Sequence, residues 1–374
     1  MSASRQMPTL THLGYFGVTA NEQNPEPQLC AARIPELDRR QVNNINSGHP
    51  LSIDYNVEVT DWQHHHWSKK HGNTDLLEER LQELRNDCKD CRIRDLLSSF
   101  DEKSFKVLSC SALLSNLTLP LLMPLATKRR LDNNDETYFS YNSGLLRFHS
   151  KPMTREEGIA AMAAEKADQE RNAERAKSIK DGHLCAALMT NRGMEKSNLL
   201  VVGKDLDYTI NYIDFGHIGV IVSKEVDCHL GGPLAEIKIS YETDTMSPGK
   251  ILISLVKNVA LGGTDNLVGL TISDNTIKSV GGAHLHETTV QTVVDRTHEI
   301  LKEVFQIMEH ELSEFDEAYG HVKTEFCESD GTFVMHLEIS DGSSQEVLKW
   351  NLSSDLKKRI EFAKTCATMS PIIY

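Results

Sequence analysis

The chain reads as an α+β protein of long helices and antiparallel hairpins. Two observations and one absence predict this. Val290, Val293, Val294, Ile300, Leu301, Val304, Phe305, Met308 and Leu312 recur at helical spacing, which predicts a helix over 288–314. Val322, Thr324 and Phe326 alternate with polar residues, Asp330-Gly331 supplies a turn, and Phe333, Met335, Leu337 and Ile339 alternate on the return, which predicts a hairpin. Strands and helices do not alternate regularly, and neither G-x-G-x-x-G nor a P-loop string is present, so a Rossmann or P-loop nucleotide fold has no support.

The remaining elements follow in chain order. Residues 1–60 are rich in Asn, Pro, Gln and Gly and read as loops with short extended pieces, an irregular N-terminal arm. Leu76, Leu77, Leu81, Leu84, Ile93, Leu96 and Leu97 predict an amphipathic helix or helix pair over 74–100. Thr154-Arg155-Glu156-Glu157 is a capping-box pattern, opening a largely solvent-facing helix to about Lys180, and the apolar tract Leu184–Met189 packs inside. Leu199–Val202 and Tyr208–Ile213 outline a hairpin with a charged tip. Further strands are expected at 218–222, 235–240, 267–272 and 276–280, and a final helix at 345–366. These elements divide the chain into the arm at 1–60, a mainly helical region at 61–190 and an α+β region at 191–374.

Length and composition set bounds. At 374 residues and 39% hydrophobic content the chain buries a substantial core, as one large domain or two smaller ones. The formal net charge of −14 repels phosphate backbones and anionic lipids at long range, which disfavours nucleic-acid and membrane-surface partners. The dense basic spots, Lys69-Lys70 and Lys128-Arg129-Arg130, are short. Eight scattered cysteines in a chain this long read as reduced thiols of a cytoplasmic protein, and the polar start shows no signal peptide. Val107–Thr127 carries no charge and is long enough to span a bilayer, but Pro120 and Pro124 would break the helix ladder where lipid offers no replacement partner. No membrane span is expected there.

Several constellations carry possible chemistry. His64, His65, His66 and His71, with Cys88 and Cys91 downstream, are candidate zinc ligands, though the spacing matches no standard structural site. Cys88 to Arg94 has a C-x5-R spacing, but its charged, helix-like interior lacks the small residues of a phosphate cradle. His284 and His286, beside Glu287, would share one face of a strand. Cys185, after His183, is a candidate thiol against the commoner reading of a buried structural cysteine. Asn198 before the 199–213 hairpin and Asp214 after it would come together if the two strands pair. Two hard oxygen ligands so placed suit Mg2+ bridging the phosphates of a nucleotide.

This last segment resembles the protein-kinase fold. Asn191-Arg192-Gly193 through Asn198-Leu199-Leu200-Val201 is similar to the family's catalytic loop, Asp214-Phe215-Gly216 to its D-F-G, Leu234-Ala235-Glu236 to A-P-E, and Asp244 to Val256 to the helix that follows. The resemblance covers 191–256. It implies a degenerate kinase-like fold with Asn198 and Asp214 as Mg2+ ligands. Gly193 stands where the family carries its catalytic aspartate and Asn191 where it carries histidine. No glycine-rich loop precedes them, and Lys69, Lys70 and Lys106 have no sequence context that marks a nucleotide lysine. Three functions follow as expectations. The first is a regulatory protein that acts by binding other macromolecules, chiefly proteins. The second is a phosphotransferase-like enzyme or an inactive nucleotide-binding pseudokinase. A zinc protein built on the histidine cluster is the third.

Overall fold

The computed structural model describes residues 10–19, 28–61, 74–122, 136–151, 160, 164, 167, 172–190, 199–202, 205–241, 252–264, 266–282, 287–327 and 332–352. The chain is α+β, as expected from the sequence. Its strands are β1 (Leu10–Thr19), β2 (Gln28–Cys30), β3 (Leu51–Ser52), β4 (Glu58–Asp61), β5 (Phe105–Cys110), β6 (Thr137–Asn142), β7 (Leu145–His149), β8 (Leu199–Val202), β9 (Asp205–Asp214), β10 (Ile218–Glu225), β11 (Cys228–His229), β12 (Leu234–Tyr241), β13 (Asn266–Ser273), β14 (Thr276–Gly282), β15 (Glu317–Cys327), β16 (Thr332–Ser340) and β17 (Gln345–Asn351). The helices are α1 (Arg39–Asn46), α2 (Thr74–Asp87), α3 (Cys91–Asp101), α4 (Ser111–Leu122), α5 (Ala173–Thr190) and α6 (Glu287–Leu312), with a π-helical segment at Leu255–Ala260.

A ten-stranded sheet runs β17-β16-β15-β6-β7-β5-β10-β9-β1-β2. It is antiparallel except where β5 lies parallel to β7 and to β10. Alternation along its central strands sends residues to two cores. Val220 and Val222 of β10 join Phe105, Phe305, Leu255 and the apolar face of α6 on one side. Ile221 joins Leu77, Leu81, Leu97 and Phe100 of α2 and α3 on the other. A five-stranded sheet, β11-β12-β13-β14-β3, packs against Ile45 of α1 and against Leu184, Cys185 and Met189 of α5. β10 feeds β11 through Val226-Asp227 alone, so the edge of one sheet passes directly into the other.

Three elements differ from the sequence reading. Leu10–Thr19 is a full strand rather than loop, because Leu13, Phe16 and Val18 are buried between β9 and α2, with a bulge at His12–Gly14 masking the alternation. Gln345–Asn351 is a strand, not the start of a helix: β16 offers it an open edge, and Leu348 and Trp350 pack on the core. β8 does not pair with β9. It lies parallel to β4, while β9 runs between β1 and β10. The uncharged run beginning at Val107 divides into β5 and α4, with Pro120 in the last turn of that helix. Among the described residues no helix is long and apolar enough to cross a membrane.

Candidate active site at the seam between the sheets

Buried residues of opposite charge gather where β10 leaves the large sheet and β12 begins in the small one. Lys224, two positions after Val222, continues the inward face of β10 and is 5% exposed. Its Nζ donates to Glu236 Oε2 of β12 at 2.9 Å and to the Glu225 carbonyl. The Lys238 ammonium takes the other oxygen, Glu236 Oε1, at 2.5 Å. Asp227, in the crossover, accepts the Ile237 amide at 2.8 Å through Oδ2. Two sequence pairs therefore face each other across the seam: Glu225-Val226-Asp227 and Glu236-Ile237-Lys238, each with charges two residues apart on an extended chain.

The electrostatics follow from burial. Removal from water and the nearby Glu236 carboxylate push Asp227 up to about 6. Glu236 pays the same desolvation, yet Lys224 and Lys238 together hold its carboxyl below the usual range. Lys224 stays charged: burial opposes its ammonium, and Glu236 and Asp227 outweigh that effect. Lys257, on the π-helical segment, is drawn down by burial and by the neighbouring Lys224 charge. The Cys228 thiol is pushed up to about 12 by burial and by Asp227 and Glu236, so it is no nucleophile.

A loop locks this arrangement. Leu261–Thr264 follows the π-helical segment and docks on β9, where the Gly262 carbonyl accepts from Asn211 Nδ2 at 3.0 Å and Thr209 Oγ1 at 3.3 Å. A Cβ on Gly262 would stand 2.6 Å from the Asn258 carbonyl oxygen and 2.7 Å from Lys224 Cγ, so glycine is what lets the loop close over the lysine stem. Beside it, Asn258 Oδ1 and Thr264 Oγ1 are buried without a hydrogen-bond partner. Glu225 is exposed and the Lys238 side chain is 37% exposed, so the cluster opens to solvent on that side.

The described residues singled out from sequence as ligands or nucleophiles lie elsewhere. Asp214 ends β9, where Lys103 Nζ contacts its two oxygens at 3.0 and 2.9 Å and its Oδ1 accepts the Gly216 amide at 2.7 Å. Asn198, Lys69, Lys70, His64, His66, His71, His284 and His286 lie outside the described residues. Because β8 and β9 do not pair, the hairpin that was to bring Asn198 to Asp214 is not formed. Cys88 is half-buried and Cys91 exposed at the start of α3, where Arg94 Nη2 donates to Cys91 Sγ at 3.0 Å. Cys185 is buried in α5, with its thiol pushed up to about 12 by burial and by Asp181. Among the described residues no three His, Cys, Asp or Glu side chains are placed to hold a metal ion.

Known proteins bear on this geometry through structure. No known family's sequence profile matches the chain, and no curated protein matches it in sequence. Rai1 from Candida albicans, solved with pU5 and Mn2+, is similar over 96% of both chains, with a TM-score of 0.61 and 10% identity. The chain has the Rai1 fold. Rai1 from Scheffersomyces stipitis superposes over 98% of this chain and 99% of that one at a TM-score of 0.59 and 12% identity. Its complex with (3′-NADP)+ and calcium covers 98% and 97% at 0.56, again at 12% identity.

This fold replaces the kinase-like expectation. The D-F-G-like string is the turn between β9 and β10: Gly216 takes φ +92°, Asp214 caps its amide, and Phe215 packs on Phe305 and His298. The A-P-E-like string opens β12 and carries Glu236 into the seam. The regulatory protein-binding reading and the pseudokinase reading give way with it, since the solved structures of this fold are Rai1 proteins, one of them holding pU5 and Mn2+. The disfavouring of nucleic acid and the preference for a protein partner are likewise overturned by a structure of this fold that holds pU5. Net charge was a poor guide because −14 is a sum over the whole chain, whereas Lys224, Lys238 and Lys257 converge on one point.

Proposed function

We propose that this protein processes the 5′ ends of RNA, in the class of the decapping and pyrophosphohydrolase enzymes that share its fold. The 5′-phosphorylated terminus enters the seam from the Glu225–Lys238 side. The carrying observation is the set of ammonium groups of Lys224, Lys238 and Lys257 gathered around the Asp227–Glu236 pair, in a fold that holds pU5 and Mn2+ in the C. albicans protein. Lys238 lies at the solvent edge and meets the phosphate first, and the half-buried Lys257 lies deeper. Both ammonium groups carry three donors, and Lys238 commits one of them to Glu236, which leaves donors suited to phosphate oxygens.

Asp227 suits hydrolysis. A carboxyl near 6 is largely ionised at neutral pH and still basic enough to take a proton from water. The water oxygen bonds to phosphorus, the bond from phosphorus to the leaving oxygen breaks, and the water proton passes to Asp227. The lysines stabilise the charge that accumulates on the phosphoryl oxygens. Such a role places the chain in a compartment that holds RNA and keeps thiols reduced, the cytoplasm.

Asp227 and Glu236 are the described residues that would hold the divalent cation seen with this fold. Both are hard oxygen donors of the right kind. Each Glu236 oxygen accepts one lysine ammonium, from Lys224 or Lys238, and keeps a further lone pair. Bound there, the cation would neutralise charge on the phosphoryl oxygens.

Fluorescence anisotropy with 5′-phosphorylated and 5′-hydroxyl pentauridylate tests the proposal. The phosphorylated strand should bind about tenfold more tightly, the worth of one charge-assisted contact. Equal affinity for the two ends, or loss of nothing on Lys238→Ala, would refute it. Release of label from 5′-labelled RNA tests hydrolysis, which Asp227→Asn should abolish with binding retained.

A further inference from the structure

We infer that Cys88 and Cys91 form a redox-active dithiol: hydrogen peroxide oxidises Cys91, and Cys88 closes a disulfide onto it. The pair lies at the junction of α2 and α3, which cover the face of the large sheet opposite the one that Val220, Val222 and Lys224 share. The inference is therefore independent of the RNA-end reading.

The chain brings both thiols to one short turn. Cys88 follows the last residue of α2 and its amide still donates to the Leu84 carbonyl, at 3.2 Å. Cys91 is the first residue of α3. Between them stand Lys89 and Asp90, and Asp90 caps α3 by accepting the Arg92 amide at 2.9 Å. Two intervening residues are the spacing of dithiol redox pairs. Both cysteines are free thiols. Cys91 is exposed and open to a small oxidant, whereas Cys88 is half-buried against the core that α2 and α3 build with β10. That difference assigns the roles: the exposed sulfur is attacked first, and the sheltered one resolves.

Arg94 sets Cys91 apart from the other cysteines. One turn into α3, its Nη2 donates to Cys91 Sγ at 3.0 Å. A guanidinium hydrogen bond is stronger to a thiolate than to a thiol, and the thiolate is the nucleophile. The effect is mutual: the Cys91 sulfur first, then Asp95 and Cys88, hold the Arg94 guanidinium above its ordinary value. One cation thus faces both sulfurs. Cys30, the other exposed cysteine among the described residues, has no such setting: burial and the Asp207 and Asp205 charges push its thiol up. Cys185 and Cys228 are buried, with thiols pushed up to about 12. The reaction balances. The Cys91 sulfur bonds to one peroxide oxygen, the O–O bond breaks, and the departing hydroxide is protonated to water. The Cys88 sulfur then bonds to the Cys91 sulfur, the S–O bond breaks, and a second water leaves. Two thiols give up two electrons and two protons, and one peroxide becomes two waters.

Tryptic mapping of the full chain tests this directly. Trypsin cuts after Arg85, Lys89 and Arg92, so Cys88 and Cys91 fall on separate peptides, 86–89 and 90–92, which stay joined only through a disulfide. The reduced chain is treated with an equivalent of hydrogen peroxide, its remaining thiols are blocked with iodoacetamide, and it is digested. Mass spectrometry should then find the two peptides joined, and dithiothreitol should separate them. Peptides 86–89 and 90–92 recovered unlinked, or linked chiefly to other cysteines, overturn the inference. Cys88→Ser should halt the reaction at the sulfenic acid of Cys91, which dimedone captures. Cys91→Ser should leave Cys88 uncaptured, and capture at Cys88 overturns the assignment of roles. Arg94→Gln, with an unchanged circular dichroism spectrum, should slow disulfide formation about tenfold. An unchanged rate overturns the part given to Arg94.

Discussion

The two ends of the β9–β10 hairpin carry the same kind of interaction in opposite settings. At one end Asp214, opposite Gly219, pairs with Lys103, and the Asp214 side chain is 41% exposed. At the other end, five residues along β10 and about 17 Å away, Lys224 and Glu236 pair at 5% and 9% exposure. Separation differs not at all, 2.9 Å in both cases. Water differs, and with it the consequence. The exposed pair caps a turn. The buried pair joins a strand of each sheet, in a setting where burial and the Glu236 charge raise Asp227 against the opposing pull of Lys224. An ion pair becomes an active-site element through the solvent it excludes rather than through its length.

This comparison is open to measurement. The largest expected effect is at the buried end. Glu236→Gln leaves Lys224 and Lys238 with no full counter-charge and should destabilise the fold by about 3–5 kcal/mol, as read from urea unfolding. A cost under about 1 kcal/mol would show that water reaches the seam and that the contrast between the ends is false. Lys238→Ala, at the rim of the same cluster, should leave the fold intact. It should weaken 5′-phosphorylated RNA about tenfold and lower the salt slope of binding by about one ion.

The pH dependence comes next. The folded-state value of Asp227 lies above its unfolded value, so between about pH 4 and pH 6 the folded state holds more protons. Stability from this group is therefore present at low pH and falls as pH rises through that window. Asp227→Asn should flatten the fall, visible in Tm measured across it, and an unchanged profile would place Asp227 in water. Smallest is the exposed end. Asp214→Ala should cost about 1 kcal/mol and change RNA affinity less than twofold, since it loses one screened pair and one turn hydrogen bond.

Legibility in the sequence followed the range of the interactions. The helix at Glu287–Leu312 and the hairpin of β15 and β16 were readable because their patterns repeat within the element itself. β1 was not, since the bulge at His12–Gly14 breaks its alternation. β17 was not, because a polar edge strand has no pattern of its own and exists through β16. In the site, Glu225-Val226-Asp227 and Glu236-Ile237-Lys238 were visible as charges two apart at the ends of apolar runs. That signal, charge on the inward face of a strand, would have found the seam. The Asp214-Phe215-Gly216 string is the more conspicuous motif, yet its local chemistry is that of a turn.

What the amino-acid sequence determined by itself was therefore the class of fold, its most periodic helix and hairpin, and the presence of strands at 218–222, 235–240, 267–272 and 276–280. Each rests on spacing along one chain segment, which hydrophobic burial reads directly. Only the tertiary structure decided that β8 leaves β9 for β4, that β10 passes into the second sheet through Val226-Asp227, and that Lys224 meets Glu236 there. Those outcomes depend on which distant strands exclude water from each other, and the energy of a charge pair is fixed by that exclusion rather than by the residues that carry the charges.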